Sequence, residues 1–421
     1  MANRRDFFAR LASVGAGFLG ARSLGGQTQS HNVPVEMPDL PRLLHKMVDG
    51  WKEFHLVAEV VETEFVPGRK VHAWGFNGSV PGPLMEASEG DKVRVIFENH
   101  LPEMTAVHWH GFEIPMQQDG SVGVAQDPVL PGGRQVFEFQ LSQHGTFFYH
   151  SHFPMQEMMG MIGMFVLYPK EPPSPPVDKD FGLVIQEWAL LPNNTVPNSL
   201  AMEFNWLTLN GKSGPDCTPM IVRQGDRVRI RLVNLGMDHH PMHLHGNTFY
   251  VTGTEAGRIP ENQWTPQNTV LVGVAQARDV EFDAKYVGDW MFHCHLPHHM
   301  MNQMITMVGP IHHGEHHQHH DPSGVGTYPV DDPEKKKVPG YPQDMWMNMD
   351  ELVRPKVENH GLRKGWAAAM MGMMTLVRVL PADRYDEIVR MKGRTPEPPK
   401  TPAAKPADHQ HHQHMPPKKK N

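Results

Sequence analysis

Between residues 50 and 310 the chain is patterned with a period of two. Short runs that alternate apolar and polar positions are separated by Gly, Pro, Asn and Asp turns, the signature of β-strands. Lys92-Val93-Arg94-Val95-Ile96-Phe97 shows the alternation, and so does Arg227-Val228-Arg229-Ile230-Arg231-Leu232-Val233. Each follows a Gly-Asp turn (Gly90-Asp91 and Gly225-Asp226), and each leads to an Asn and then a histidine cluster. This is an internal repeat of about 135 residues. The run Pro172-Pro173-Ser174-Pro175-Pro176 between the copies reads as a stiff linker. The pattern predicts an all-β protein of two Greek-key β-sandwiches or barrels. Their expected spans are residues 48–171 and 181–310, joined by a linker over 172–180.

The two ends of the chain break this pattern. Residues 1–30 carry Arg4-Arg5 before Asp6-Phe7-Phe8 and a weakly apolar stretch from Leu11 to Leu19, which resembles a twin-arginine export signal with cleavage near Ala21 to Gln27. Export to the periplasm, or otherwise out of the cytoplasm, is the expected localisation. No other segment has 18 consecutive apolar residues, so no membrane span is expected. Residues 311–421 read as a partly disordered His/Met/Pro/Lys-rich extension, dispensable to the core. It holds two histidine tracts, one from His312 to His320 and one from His409 to His414. They are read either as metal buffers or as solvated tail. One short helix is expected there, about Gly365 to Leu380, with Met370, Met371, Met373 and Met374.

Composition narrows the chemistry. The charge balance of 39 basic and 46 acidic residues, without a basic face, argues against nucleic-acid binding. Hydrophobic content of 39% is below the usual 45–50%, in keeping with polar ends. Two cysteines exclude a disulfide framework and a four-thiolate zinc site. The 29 histidines and 29 methionines point to copper, because imidazole suits copper and thioether suits Cu(I).

Four motifs localise that chemistry. The first copy has His108-Trp109-His110-Gly111 and His150-Ser151-His152. The second has His240-Pro241-Met242-His243-Leu244-His245 and His293-Cys294-His295, with His299 and Met304 beyond. Residues i and i+2 of a strand share a face, so each His-x-His pair aims two imidazoles one way, together or splayed between neighbouring metals. Cys294 points the other way. With His240, His299 and Met304 it completes two imidazoles, a thiolate and a weak axial thioether, the blue-copper set. Zinc or iron also accept imidazoles, but not this full constellation. Cys217 has no ligand-type neighbours in sequence and reads as a buried free thiol.

These motifs, with Pro81-Gly82-Pro83, Glu89-Gly90-Asp91, Gly145-Thr146-Phe147-Phe148-Tyr149 and Gly288-Asp289-Trp290, resemble the multicopper oxidases, the laccase-like enzymes, over about residues 60–310. The resemblance implies two cupredoxin-like domains and four coppers per functional unit. His240, Cys294, His299 and Met304 would bind a type 1 copper, and His108 and His243 a type 2 copper. His110, His150 and His295 would hold one type 3 copper, and His152, His245 and His293 the other. Ser151 stands where the second copy has Cys294, so the first copy should lack a blue-copper site. That matches two-domain enzymes with the type 1 copper in the second domain.

The implied reaction couples one-electron oxidation of a small reducing substrate to four-electron reduction of O2 to water. Electrons would enter at His240 or His299, whose ring edges are expected near the surface, and pass through Cys294 to the cluster. Asp119 would relay protons or orient a metal-bound water. His298 stands where many relatives have a second acid. A phenol or aromatic amine is the first substrate reading. The alternatives are a cuprous oxidase, suggested by Met155, Met158, Met159, Met161, Met164, Met300, Met301 and Met307, and a copper-storage protein without turnover. Because a short linker stands where related enzymes have a spacer domain, the resemblance implies a homotrimer with its clusters at subunit interfaces.

Overall fold

The computed structural model describes residues 32–190, 194–300, 350, 353 and 355–393. The first sandwich is built from β1 (Lys46–Val48), β2 (Trp51–Glu64), β3 (Lys70–Phe76), β4 (Gly82–Ser88), β5 (Lys92–Asn99), β6 (Val107–His110), β7 (Arg134–Gln140), β8 (Gly145–Ser151) and β9 (Ile162–Tyr168). One sheet runs β1-β2-β5-β7 with β3 on β2, and the other runs β4-β9-β8-β6. The short helix α1 (Pro154–Glu157) follows β8.

The second sandwich contains β10 (Lys179–Trp188), β11 (Trp206–Leu209), β12 (Met220–Arg223), β13 (Arg227–Asn234), β14 (His240–Leu244), β15 (Phe249–Thr254), β16 (Gly257–Arg258), β17 (Thr265–Gln267), β18 (Thr269–Val272), β19 (Gln276–Asp283), β20 (Gly288–Cys294) and β21 (Met374–Leu380). Its sheets run β11-β10-β13-β19-β15-β16, with β17 on β15, and β12-β21-β20-β14-β18. The all-β, two-sandwich expectation therefore holds. Among the described residues no helix is long and apolar enough to cross a membrane.

The four sheets stack as layers. Phe54, Val95 and Phe137 meet Trp109, Tyr149 and Phe165 inside the first sandwich. Phe148, Ile162 and Met164, on the opposite face of the β4-β9-β8-β6 sheet, meet Val184, Val233 and Ala277 of the second sandwich. Ile230, Leu232 and Val280 then meet Phe292, Cys294 and Val377 inside the second.

The two repeat strands have the same pattern but different surroundings. Arg94 of β5 lies on a partly exposed face with Glu53 and Glu138. Arg229 and Arg231 of β13 are buried at the junction of the sandwiches. Arg231 donates to both oxygens of Asp180, at 2.8 Å each, and to Thr146 Oγ1 at 2.7 Å. Thr146 in turn donates to Asp279 Oδ1 at 2.6 Å. Buried charges persist only when paired and hydrogen-bonded in this way.

The C-terminal region departs from expectation. Residues 374–380 form strand β21 rather than part of a helix. A 3-10 turn covers Trp366–Ala369, and the helix of this region is α2 (Ala382–Lys392). β21 lies between β12, to which it is parallel, and β20, to which it is antiparallel. The cause is the repeat itself. In the first sandwich β9 lies between β4, parallel, and β8, antiparallel. His150 faces Ile162 there, as His293 faces Met374 here. The second copy needs the same closing strand and takes it from beyond residue 310. The histidine tracts, the 1–30 segment and Met304 lie outside the described residues.

Met374, Leu376, Val377, Val379 and Leu380 are all buried. At about 1.5–3 kcal/mol for each fully buried side chain, their removal rivals the roughly 5–15 kcal/mol stability of a whole domain. A chain ending at residue 310 should therefore lack a cooperative thermal transition for the second sandwich, whereas one ending at residue 393 should keep it. A normal transition in the 310 truncation would show β21 to be dispensable.

Candidate metal centre

The repeat places two equivalent imidazole quartets. β6 pairs with β8 so that His108 faces His150, and β14 pairs with β20 so that His243 faces His293. The His108 ring centroid lies 5.7, 5.3 and 5.3 Å from those of His110, His150 and His152. That of His243 lies 4.9, 5.6 and 5.4 Å from those of His245, His293 and His295.

Backbone carbonyls orient four of these rings. Nδ1–H of His108 donates to the Asp119 carbonyl and that of His243 to the Asn268 carbonyl, both at 2.7 Å. Nδ1–H of His150 donates to the Ser151 carbonyl at 2.7 Å and that of His293 to the Cys294 carbonyl at 2.8 Å. A carbonyl only accepts, so each Nε2 keeps a lone pair for a cation. Two pairs already converge. His110 Nδ1 lies 3.3 Å from His150 Nε2, and His245 Nε2 lies 3.0 Å from His293 Nε2. Burial, reinforced by neighbouring imidazoles, lowers His110 to a pKa of about 3. Burial lowers His293 to about 4, and it also lowers His108 and His245. Lowered in this way, the four rings favour the uncharged form near neutral pH.

The quartets do not complete each other within one chain. Among the described residues, every ring contact between quartet histidines joins members of the same quartet. The first quartet projects from the face of β8 turned toward the second sandwich. The second projects from the outer face of β20. Two sheets lie between them, on the order of 20 Å at normal sheet spacing. His152 and His295 leave both quartets open to the surface.

On the other face of β20, Cys294 Sγ lies 3.4 Å from His299 Nδ1 and 3.7 Å from His240 Nδ1, and the two nitrogens are 3.1 Å apart. Burial pushes the Cys294 thiol up to about 12 and His299 down to about 4. A bound cation reverses the first shift by displacing the thiol proton. His240 and His299 have no solvent exposure. The expectation of ring edges near the surface is thus corrected, because the thiolate site lies inside the sandwich.

The first sandwich answers this site position by position. Thr105 stands three residues before His108, as His240 stands before His243. Ser151, Gln156 and Met161 stand where Cys294, His299 and Met304 do. The three polar residues satisfy one another, with the Thr105 and Ser151 hydroxyls each donating to Gln156 Oε1 at 2.7 Å.

Asp119 has its carboxylate 3.5 Å from His108 Nδ1. Two acids were missed in the sequence. Glu157 Oε1 lies 3.3 Å from His150 Nδ1, and Glu187 Oε2 lies 3.0 Å from His240 Nε2. The available signal for Glu187 was a lone acid within the apolar run Leu183 to Leu190. Cys217 is a buried free thiol, as expected. Met158, Met159, Met161 and Met164 are buried in packing, Met155 is exposed, and Met301 and Met307 lie outside the described residues.

The family description "Multicopper oxidase" matches residues 58–172 and again residues 190–309. Copper resistance protein A homolog of Pseudomonas syringae pv. tomato is 38% identical over 34% of this chain and 24% of its own length. Laccase-2 of Botryotinia fuckeliana is 31% identical over 52% of this chain and 40% of its own. The chain thus spans less than half the length of these curated relatives. Among solved structures, a blue copper oxidase from Nitrosomonas europaea is 30% identical with a TM-score of 0.56, covering 60% of this chain and 81% of that one. The multicopper oxidase mgLAC is 32% identical with a TM-score of 0.53, covering 59% and 81%. Two family matches in tandem, laid over the two histidine-bearing sandwiches, show that this chain belongs to the multicopper oxidases.

Proposed function

We propose that the chain is a laccase-type oxidase that takes electrons one at a time from a phenol or aromatic amine and delivers them to O2. The observation that carries this reading is the backing of one strand by two sites, with Cys294 on one face of β20, His293 on the other and His295 just past the strand's end. The donor chemistry fits copper: neutral imidazoles with oriented lone pairs beside a triangle of two Nδ1 atoms and one thiol. Bound there, copper supplies one-electron oxidation at the thiolate site and multi-electron O2 reduction at the imidazole cluster.

The protein's own part is positional. His240, Cys294 and His299, with Met304, hold the type 1 ion. His108 and His243 hold type 2. His110, His150 and His295 hold one type 3 ion, and His152, His245 and His293 the other. The close His110–His150 and His245–His293 pairs support this partition. Asp119, its carboxylate 3.5 Å from His108 Nδ1, would relay protons or orient a metal-bound water. The burial of four of the methionines in packing favours an organic donor over Cu(I). Export through the Arg4-Arg5 segment is part of the same reading.

The layered fold supports assembly as a homotrimer. A quartet from the first sandwich of one chain would meet the second-sandwich quartet of the next, and a head-to-tail contact of this kind closes into a ring or grows without limit. Sedimentation should report about three chains per particle. Mixing His108→Ala with His243→Ala chains, after dissociation and reassembly, should restore some clusters. A fully active monomer would end the ring assignment.

Cys294→Ser should abolish the blue absorption band and oxidase activity while the cluster coppers stay bound. An unchanged band would sink the type 1 assignment. O2 uptake with Cu(I) but not with a phenol, or no O2 uptake with either donor, would replace the phenol reading.

Asp119→Asn keeps the backbone carbonyl that orients His108 and removes only the carboxylate. It should slow the O2 half-reaction roughly 10–100-fold, the range for losing a group that supports a metal ligand, with type 1 reduction by donor at the normal rate. Equal slowing of both half-reactions would point instead to lost copper.

A further inference from the structure

Glu187 lies on β10 with no exposed side-chain surface. Its Oε2 lies 3.0 Å from Nε2 of His240. Its Oε1 accepts the backbone N–H groups of Met237 and Asp238, the latter at 2.9 Å. All three partners belong to the stretch 237–240 that leads into β14. Gly236 permits the approach, because a Cβ there would overlap the carboxylate. Asn234 holds the same turn from the other side, accepting from Gly236 N at 2.9 Å and donating to the Asp238 carbonyl at 2.8 Å. The turn is thus anchored by two buried side chains, of which only Glu187 touches the imidazole.

A carboxylate oxygen accepts, so Nε2 of His240 carries the hydrogen and Nδ1 keeps its lone pair, 3.7 Å from Cys294 Sγ. The repeat supplies a comparison. Lys52 pairs with Val93 as Lys179 pairs with Val228, and continuing this correspondence along the strands puts Val60 in the place of Glu187. The first sandwich also has Thr105 in place of His240. The buried carboxylate occurs in the copy that has an imidazole to orient and is missing from the copy that does not.

We propose that Glu187 is a positioning residue of the thiolate site. It fixes His240 in the tautomer that ligates through Nδ1, and it sets a negative charge at that ligand's outer edge, favouring the oxidised ion and closing that edge to the electron donor. The proposal rests on the copper reading above, whose own failure would appear separately, as wild-type protein without a blue band.

The test is Glu187→Gln in the copper-loaded protein. Glutamine keeps the shape and still accepts from Met237 and Asp238 but lacks the charge. The type 1 reduction potential should rise and the type 1 electron paramagnetic resonance signal should shift, with cluster copper unchanged. Glu187→Asp, which keeps the charge, should move the potential back toward wild type. A structural role alone would lower the melting temperature and leave the potential in place. Wild-type potential and spectrum in fully loaded Glu187→Gln would overturn the proposal. Should that variant not fold, metal-free wild type decides: long-range 1H–15N spectra of histidine-labelled protein should show His240 protonated at Nε2, and protonation at Nδ1 would refute the assignment.

Discussion

Adjacent side chains on a β-strand point to opposite faces, and the copper chemistry of this protein depends on that alternation. In β20, Phe292 and Cys294 face the apolar interior of the second sandwich, while His293 faces away from it and His295 follows just past the strand's end. The sulfur therefore lies in a dry compartment between two sheets and the imidazoles lie on an outer face. A single backbone step separates an enclosed site from an open one. The enclosed site can be completed by its own sandwich. The open one offers its histidines outward.

The same alternation governs the contact between the sandwiches. β8 is buried along its whole length because one face looks into its own core and the other onto the seven-stranded sheet. β13 is buried on both faces as well, so its buried Arg229 and Arg231 are kept by pairing with Asp180, Glu281 and Asp279 and by Thr146. Strands with related sequences thus serve a solvent face in one copy and a domain junction in the other.

Legibility followed distance along the chain. The His-x-His pairs, the cysteine between two of them and the turn before each repeat strand are local patterns, and the structure reproduces their geometry. β21 was hidden because a long excursion separates it from β20, and because a methionine-rich apolar segment reads equally well as a helix. The repeat carried the missing hint, since β9 follows β8 closely and demands a counterpart. Glu187 was hidden for a related reason. Its contact with His240 joins residues far apart in sequence, and only pairing within the second sandwich reveals it. Burial of His240 and His299 depends on what covers the ligand loop, which includes Met373 donating its backbone N–H to the His299 carbonyl at 2.9 Å.

The position of β21 also sets the order in which the molecule can be built. A chain emerging from the ribosome at about 5–20 residues per second folds N-terminal units first. The first sandwich is complete once β9 has emerged. The second has β20 in hand but must wait for residues 374–380 before the sheet behind Cys294 can close. During that interval β20 lacks its β21 neighbour. The sheet behind Cys294 therefore closes only with a strand made well after Cys294 itself, unlike that of the first sandwich, whose closing strand follows at once.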